Sequence, residues 1–344
     1  MIQFQCDYNE GAHQLIMQRL CETNMEQTVG YGEDSHCDNA RRLIRQACKR
    51  EDIDVHFLVG GTQTNTTVIA HFLRPYQGVI AADTGHINVH ETGAIEATGH
   101  KVLALPNTDG KISASQIAHC MQEHLAEDGP EHTVQPGMVY ISFPTEVGTI
   151  YSKQELEDIR SVCNKYDLPL FVDGARLGYG LTSPACDIDL PMLTRLADAF
   201  YIGGTKVGAL FGEAVVITTE KAKRDFRYSI KRHGGMLAKG RLLGIQFETL
   251  FTDGLYFDIA HHAVSEAMRI KETLQKKGTK FLVDSPTNQQ FVVLTKEQQA
   301  ALAERFTFEF EAALPDGRDA VRFCTAWSTE NAEVDALLAA IKTL

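Results

Sequence analysis

The segment LPLFVDGAR, residues 168–176, is an apolar run that ends in an acid and continues through a glycine to an arginine. The run up to Asp173 is short and bounded by polar residues, which is typical of a buried strand. An acid at the end of such a strand is costly unless it has a cationic partner. The segment therefore predicts a strand whose carboxyl end carries polar chemistry.

Similar short apolar runs recur along the chain and predict further buried strands: HFLV (56–59), GVIAA (78–82), KVLAL (101–105), GMVYIS (137–142) and AFYIGG (199–204). Helical patterns separate several of them, at residues 62–73, 113–127 and 152–166. The last two open on a serine N-cap. Strands that alternate with helices indicate an α/β fold with a mostly parallel sheet covered on both faces.

The sequence pattern changes from alternating strands and helices at about residue 236. Two long helix-like stretches occupy 237–251 and 255–277. Strand-like runs at 289–294 and 321–327 and a closing helix from Thr329 follow. A chain of 344 residues exceeds what one hydrophobic core usually organises. We therefore expect an N-terminal arm (1–20), a large, mainly parallel α/β domain (21–250) and a small C-terminal α+β domain (251–344).

Composition limits the classes of function. The chain has 33 Lys+Arg against 45 Asp+Glu, a net charge of −12, and a mean hydropathy of −0.18, which exclude disorder, collagen and coiled coil. The acidic balance argues against nucleic acid as partner, and no apolar run is long enough for a membrane span. The first residues lack the pattern of a secretory signal, so we expect a cytoplasmic protein that acts on a small molecule. Its eight cysteines are scattered, so we assign neither disulfides nor a metal.

Residues that follow two of the predicted strands form a candidate anion site and a candidate ion pair. Gly61 and Thr62 follow Gly60 and open a helix, whose unpaired N–H groups suit a single phosphate. A glycine pair at this position is also ordinary structural punctuation, and neither the dinucleotide nor the Walker pattern is present. Asp173 and Arg176 follow the strand quoted first, where an ion pair or a helix cap is the alternative explanation.

Lys206 follows the run 199–204 and has no acid within six residues. Desolvation in such an apolar, glycine-rich loop lowers the pKa of an amine and makes it a nucleophile, although a loop lysine is more often simply solvated. The phosphate turn, the strand-end Asp173 and Lys206 occur in the order needed to hold pyridoxal 5'-phosphate. Lys206 would form the Schiff base and Asp173 would pair with the pyridine nitrogen. His86, which follows 78–82, is a candidate to stack on the ring, or else an ordinary surface or core residue.

These segments resemble the threonine aldolase family of pyridoxal-phosphate enzymes, the low-specificity L-threonine aldolases of the beta-eliminating lyase group, which have the aspartate-aminotransferase fold, fold type I. The resemblance runs nearly end to end. It is carried by TVGYGED (28–34), GGTQTN (60–65), GHINVHETGAIEATGHKV (85–102), ISFPTEVGTIYS (141–152), FVDGARLG (171–178), YIGGTKVGALFGEAVV (201–216) and VRFCTAWSTE (321–330).

The resemblance implies retro-aldol cleavage of L-threonine or L-allo-threonine to glycine and acetaldehyde, in threonine catabolism and glycine biosynthesis. Lys206 would carry the cofactor, and His86 would take the β-hydroxyl proton. His132 would be a second imidazole near that hydroxyl, or else a loop residue. Arg176 and Arg322 would bind the substrate carboxylate, with a solvated edge-strand arginine as the alternative for Arg322.

Two further positions concern the substrate and the assembly. The family usually begins with a Ser-Asp pair whose hydroxyl helps to bind the substrate carboxylate, whereas this chain has Cys6 before Asp7. A thiol is a weaker hydrogen-bond partner, so the exact substrate stays open. Tyr31 resembles a residue that reaches a neighbouring subunit's site, which implies a homodimer or a homotetramer built as a dimer of dimers.

Three alternative functions compete with this one. The same cofactor site serves β-elimination, racemisation and transamination, and the fold does not choose among them. A non-catalytic pyridoxal-phosphate-binding protein is disfavoured because Lys206, Asp173 and Arg176 are all present. A dinucleotide-dependent dehydrogenase is excluded by the missing glycine pattern.

Overall fold

The computed structural model describes residues 1–344, which form thirteen strands. The strands are β1 (Ile2–Gln3), β2 (Asp54–Leu58), β3 (Gln77–Ala82), β4 (Val102–Leu105), β5 (Gln135–Ser142), β6 (Leu170–Asp173), β7 (Ala199–Gly203), β8 (Glu213–Ile217), β9 (Lys280–Phe281), β10 (Gln289–Leu294), β11 (Phe306–Thr307), β12 (Glu309–Ala313) and β13 (Asp319–Cys324).

Fourteen α-helices accompany the strands. They are α1 (Gln14–Glu22), α2 (Ser35–Cys48), α3 (Gly61–Phe72), α4 (His86–Val89), α5 (Ala114–Ala126), α6 (Lys153–Lys165), α7 (Leu177–Leu181), α8 (Leu190–Leu196), α9 (Glu220–Lys223), α10 (Phe226–Arg232), α11 (Arg241–Phe251), α12 (Leu255–Lys276), α13 (Lys296–Ala303) and α14 (Asn331–Thr343). None of them combines the length and the apolar character that crossing a bilayer requires.

Seven strands form the central sheet, in the order β2-β8-β7-β6-β5-β3-β4. The run from β7 to β4 is parallel throughout, and β8 is antiparallel to both of its neighbours. The prediction of a mainly parallel sheet is therefore confirmed. Strand β8 was not predicted, because it follows Gly212 within a longer apolar stretch and has no polar loop before it to mark its start.

Both faces of the central sheet are buried, and successive strand residues face opposite sides. Tyr140, Phe171 and Tyr201 belong to one core with α3 and α10. Val139 and Val172 belong to the other core, with helices that include α2, α6 and α12. Each fully buried apolar side chain of this kind contributes about 1.5–3 kcal/mol. The strand-helix alternation of the sequence thus yields two cores around one sheet, with polar groups left to the strand ends.

The C-terminal region has its own antiparallel sheet, β12-β13-β10-β9, and a core shared with α12 and α14. The start of the chain joins this region, because β1 pairs in parallel with β11 and Phe4 is buried in the same core. Helix α1 then packs on α11, and the His13 amide donates to the Gly208 carbonyl at 2.8 Å. The N-terminal segment therefore contacts the C-terminal core and also α11, which belongs to one of the two cores of the central sheet.

The backbone packs too closely around Gly174 to leave room for a side chain. A Cβ atom at this position would lie 1.8 Å from the Tyr201 carbonyl oxygen, and a backbone contact cannot give way. Gly174→Ala should therefore lower the free energy of unfolding by about 3 kcal/mol, measured by urea denaturation. The matched control is Gly60→Ala, since nothing lies within 4 Å of that Cβ position. It should cost no more than about 1 kcal/mol as a change of helix cap. Equal losses in the two variants would contradict the argument.

Candidate active site

An open cavity of about 220 Å³ lies at the carboxyl-terminal edge of the parallel strands. Ligands of open α/β sheets bind at this edge. Strand β8 contributes its first residue, Glu213, because it runs in the opposite direction. All six residues predicted to bind the cofactor line this one cavity: Gly61, Thr62, His86, Asp173, Arg176 and Lys206.

The Asp173 carboxylate lies at the end of β6 and is 4% exposed. Its Oδ1 accepts hydrogen bonds from the Tyr201 hydroxyl at 2.5 Å and the Ala175 amide at 3.0 Å. Its Oδ2 accepts from the Tyr140 hydroxyl at 2.7 Å and the Asn65 amide at 3.1 Å. Four donors replace the water that this buried side chain has lost. They also hold it in one orientation at the cavity wall.

Lys206 lies in the loop after β7, with its amine 5.9 Å from the centre of the Tyr8 ring. The Tyr179 hydroxyl donates to the Lys206 carbonyl at 2.5 Å and fixes the backbone beneath the amine. Burial, followed by the positive charge of Arg176, lowers the pKa of the Lys206 amine. A lowered pKa increases the fraction of neutral, nucleophilic amine.

Helix α3 begins at the cavity wall with Gly60 as its N-cap, which has no side chain to accept a hydrogen bond from the first turn. A Cβ atom on Gly61 would lie 3.2 Å from the Tyr201 hydroxyl, a tight contact. The backbone N–H groups at this helix end are therefore open to an anion such as phosphate.

His86 opens the short helix α4 directly after β3 and its loop, and its side chain is 38% exposed. Its Nδ1 lies 2.9 Å from Oε1 of the buried Glu91. The Asn65 amide donates to that same Glu91 oxygen at 2.7 Å and also to Asp173, so one network joins His86 to the strand-end carboxylate. Burial lowers the pKa of His86, but the Glu91 hydrogen bond and the charge of Asp173 outweigh it and raise the pKa.

Arg176 binds the buried carboxylate of Asp7 through two parallel contacts, Nε to Oδ2 at 2.6 Å and Nη2 to Oδ1 at 2.9 Å. The Asn288 amide donates to the same carboxylate at 2.9 Å. Burial alone would raise the pKa of Asp7, but Arg176 holds it below its usual value. This pair ties the N-terminal segment to the site, and it occupies one edge of the guanidinium expected to bind substrate.

The structure does not place Arg322 and Cys6 on the wall of the cavity. Arg322, on β13, donates from Nη2 to the Gln5 carbonyl at 3.1 Å, and its Nη1 lies 3.4 Å from a Glu311 oxygen. The Cys6 thiol donates to the Asn9 side chain at 3.0 Å, directly beside Asp7 in sequence. Both residues border the segment that carries Asp7, and their contact with substrate stays a prediction.

His132 lies far from this cavity, and here the structure corrects the expectation of a second imidazole. It sits in a 3₁₀ turn, Pro130–His132, just before the amino end of β5. The eight residues of β5 carry the chain roughly 26 Å to the opposite edge of the sheet. Tyr31 also lies outside the cavity, 49% exposed, with its ring 5.2 Å from the Lys231 amine. Its expected role at a neighbouring subunit stays a prediction.

Several polar residues of the site were not predicted from the sequence: Asp7, Asn65, Glu91, Tyr140, Glu146, Tyr201 and Glu213. The two tyrosines left a usable signal, because each occupies the same face of an otherwise apolar strand as Asp173. The other side chains resemble solvated loop or helix residues in sequence. Only the fold shows that they are buried together.

Glu213 is a buried acid on the wall that also holds Lys206. It accepts hydrogen bonds from the Thr205 hydroxyl at 3.0 Å and the Gly204 amide at 3.3 Å. Burial raises its pKa to about 8, against the opposing effects of Thr205 and Lys206. The protonated carboxyl is therefore a significant form near neutral pH.

The fold and this cavity are those of the fold type I pyridoxal-phosphate enzymes, because each part of such a cofactor has a matching group. Asp173 is a fixed carboxylate for a ring nitrogen, Lys206 is an amine of lowered pKa, and the open start of α3 suits a phosphate. Comparison with known proteins narrows the class. The profile of the family described as beta-eliminating lyase matches residues 4–307, and the chain belongs to this family of pyridoxal-phosphate-dependent lyases.

Individual relatives agree with the family. A low specificity L-threonine aldolase of a Pseudomonas species is 27% identical, and the match covers 99% of this chain and 97% of that protein. A solved structure of Leishmania major threonine aldolase is 45% identical, with a TM-score of 0.97 and coverage of 100% and 99%. A histidinol-phosphate aminotransferase from Clostridium acetobutylicum shares the fold alone, with 13% identity, a TM-score of 0.75 and coverage of 100% and 98%.

The raised pKa of Glu213 should make the stability of the protein depend on pH. Its pKa is about 8 in the folded protein against an ordinary value of 4.5, so the folded state keeps a proton that the unfolded state loses between these values. The stability due to this proton is fully present below pH 4.5 and is lost as the pH rises through 8. The Tm of the cofactor-free wild type should therefore fall from pH 5 to 8 relative to that of Glu213→Gln. Parallel curves of Tm against pH would contradict this assignment.

Proposed function

We propose that this protein cleaves a β-hydroxy-α-amino acid, L-threonine or L-allo-threonine, to glycine and acetaldehyde, with pyridoxal 5'-phosphate as cofactor. The observation that carries the proposal is the meeting of Lys206, Asp173 and His86 on one cavity. The threonine aldolases of Pseudomonas and Leishmania major, which match this chain over its whole length, support the same reaction.

Four parts of the chain would hold the cofactor. Lys206 is the proposed point of covalent attachment, and Asp173 would keep the ring nitrogen protonated. The N–H groups of Gly61 and Thr62 would bind the phosphate, and His86 would cover one face of the ring. When bound, the cofactor supplies an electron-withdrawing ring that accepts the electron pair released at the substrate Cα.

The substrate carboxylate would bind to Arg176. Its Nε and Nη2 donate to Asp7, and its Nη1 has no protein partner, so that nitrogen remains as a donor to a ligand. Arg322 and the thiol of Cys6 lie on the neighbouring segments and would complete this contact. Because Asp7 fixes the guanidinium plane, the direction of the remaining donor is set before substrate arrives.

His86 would accept the β-hydroxyl proton directly or through a water molecule. Its Nδ1 is engaged by Glu91, so Nε2 is the ring nitrogen left for a ligand. The raised pKa of His86 favours holding a proton once it has been received.

The wider setting is proposed on the family resemblance. The enzyme would act in the cytoplasm, in threonine catabolism and glycine formation, as a homodimer or a dimer of dimers to which Tyr31 contributes across the subunit boundary. Neither nucleic acid nor membrane is proposed as partner, which agrees with the net charge of −12.

Incubating the purified protein with L-threonine and L-allo-threonine, with and without added pyridoxal phosphate, tests the proposed reaction. Cofactor-dependent release of acetaldehyde and an equal amount of glycine is expected from at least one epimer. A keto acid formed together with ammonia would indicate elimination, and a keto acid formed without ammonia would indicate transamination. Either product in place of acetaldehyde and glycine would refute the aldolase assignment.

Lys206→Ala should abolish aldehyde release, because no other amine lies on the cavity wall. In the wild type, borohydride reduction should leave the cofactor covalently bound to the peptide that contains Lys206, as detected by mass spectrometry. Lys165→Ala, an exposed lysine at the end of α6, is the matched control and should keep full activity. Labelling of a different lysine would remove Lys206 from its proposed role.

Asp173→Asn should lower kcat/KM for aldehyde release by about a hundredfold or more, because a neutral amide cannot stabilise a protonated ring nitrogen. The four donors around this side chain include two tyrosine hydroxyls, so the variant's Tm should be checked alongside its kinetics. Near-normal turnover of a folded variant would exclude Asp173 from the mechanism.

A further inference from the structure

Glu146 lies in a tight turn after β5 that is held rigid by hydrogen bonds. The Thr145 amide donates to the Thr149 carbonyl at 2.8 Å, and the Gly148 amide donates back to the Thr145 carbonyl at 2.9 Å. The hydroxyl of Ser285, from the C-terminal region, donates to the Gly148 carbonyl at 3.0 Å. The turn therefore has little freedom, and the Glu146 side chain lines the cavity from a fixed position.

The two oxygens of the Glu146 carboxyl have very different surroundings. Oε1 accepts the Ser142 hydroxyl at 2.6 Å and the His86 backbone amide at 2.9 Å. Oε2 is shielded from solvent and has no hydrogen-bond partner. A buried carboxyl oxygen without a donor is costly, so this atom is an unpaired acceptor in a side chain that lines the cavity.

The charged and titratable groups that interact with this carboxyl or line the same cavity are His86, Tyr140, Tyr151, Asp173, Lys206 and Glu213. Burial raises the pKa of Glu146, and the negative charge of Asp173 adds to the effect. A carboxylate of raised pKa is a stronger base than an ordinary one. The β-hydroxyl of the proposed substrate is the donor that such an acceptor lacks.

We propose that Glu146 is a second catalytic residue, which accepts the substrate's β-hydroxyl proton at Oε2 alongside His86. This inference rests on the proposed function. The O–H bond breaks and its proton passes to Oε2, while the freed pair becomes the second C–O bond of the aldehyde. The Cα–Cβ bond breaks, its pair stays on the glycine carbon, and one proton from the site returns to that carbon. Threonine is thus divided into glycine and acetaldehyde without oxidant or reductant.

Two acceptors on different elements have a stereochemical consequence. L-threonine and L-allo-threonine carry the hydroxyl on opposite sides of Cβ. His86 belongs to α4 and Glu146 to the turn after β5, so the two groups would serve the two epimers unequally. Removing one acceptor should therefore change the ratio of the two cleavage rates as well as their size.

The test compares wild type, Glu146→Gln and the control Glu157→Gln, a partly exposed acid on α6 that is not on the cavity wall, all loaded with pyridoxal phosphate. Glu146→Gln should lower kcat/KM for at least one epimer by about tenfold or more and change the epimer ratio. Exchange of the glycine α-proton with D₂O should stay within about threefold of wild type, because glycine has no β-hydroxyl. Glu157→Gln should match wild type in both assays.

Three results would overturn the inference. Cleavage of both epimers within threefold of wild type would exclude Glu146 as an acceptor. An equal loss of glycine exchange would show that the residue acts on cofactor binding or folding. If the wild type exchanges glycine protons but releases no aldehyde, the proposed function itself fails. Should Glu146→Gln not fold, Glu146→Asp carries the same comparison, with cleavage again reduced more than glycine exchange.

Discussion

The buried carboxylate of Asp173 is the constraint around which the site is built. A charge at the end of a fully buried strand is stable only if hydrogen-bond donors replace water, and here they come from β5, β7, α3 and the turn after β6. The close approach of Gly174 to the Tyr201 carbonyl belongs to the same requirement, since β6 and β7 must meet tightly at this end. Positioning Asp173 thus fixes the relative positions of the elements that also carry His86 and Lys206.

A second ion pair connects this centre to the rest of the molecule. Asp7 comes from a segment whose first strand pairs in the C-terminal region, while Arg176 belongs to the turn after β6. Asn288, whose amide donates to the same carboxylate, directly precedes β10. A movement of the C-terminal core relative to the central sheet would therefore change the environment of Arg176. Through the charge of Arg176 it would also change the pKa of Lys206. The guanidinium that is proposed to bind the substrate carboxylate thus also influences the reactivity of the amine.

The sequence predicted the parts of this arrangement that local pattern determines. The parallel strands, Asp173 and Lys206 could be predicted because apolar runs end abruptly in polar residues. His86 could be predicted because it follows such a run. Asn65 and Glu91 could not be predicted, since an amide on a helix and an acid in a loop resemble solvated residues until the fold buries them. The error at His132 has a different origin. His132 precedes β5 in the sequence and so lies at the amino end of that strand, whereas ligands of a parallel sheet bind at the carboxyl ends.

The absence of His132 from the cavity leaves the proton chemistry to two groups that are linked to each other. The Glu146 carboxyl accepts the backbone amide of His86, so the carboxyl and the start of α4 have one shared position. The imidazole is held from its other side by Glu91, which is held in turn by the same Asn65 that donates to Asp173. A shift of the strand-end carboxylate would therefore displace the imidazole and the carboxyl together. This linkage would keep the two proposed proton acceptors of a cavity with one imidazole in register with a single bound ring.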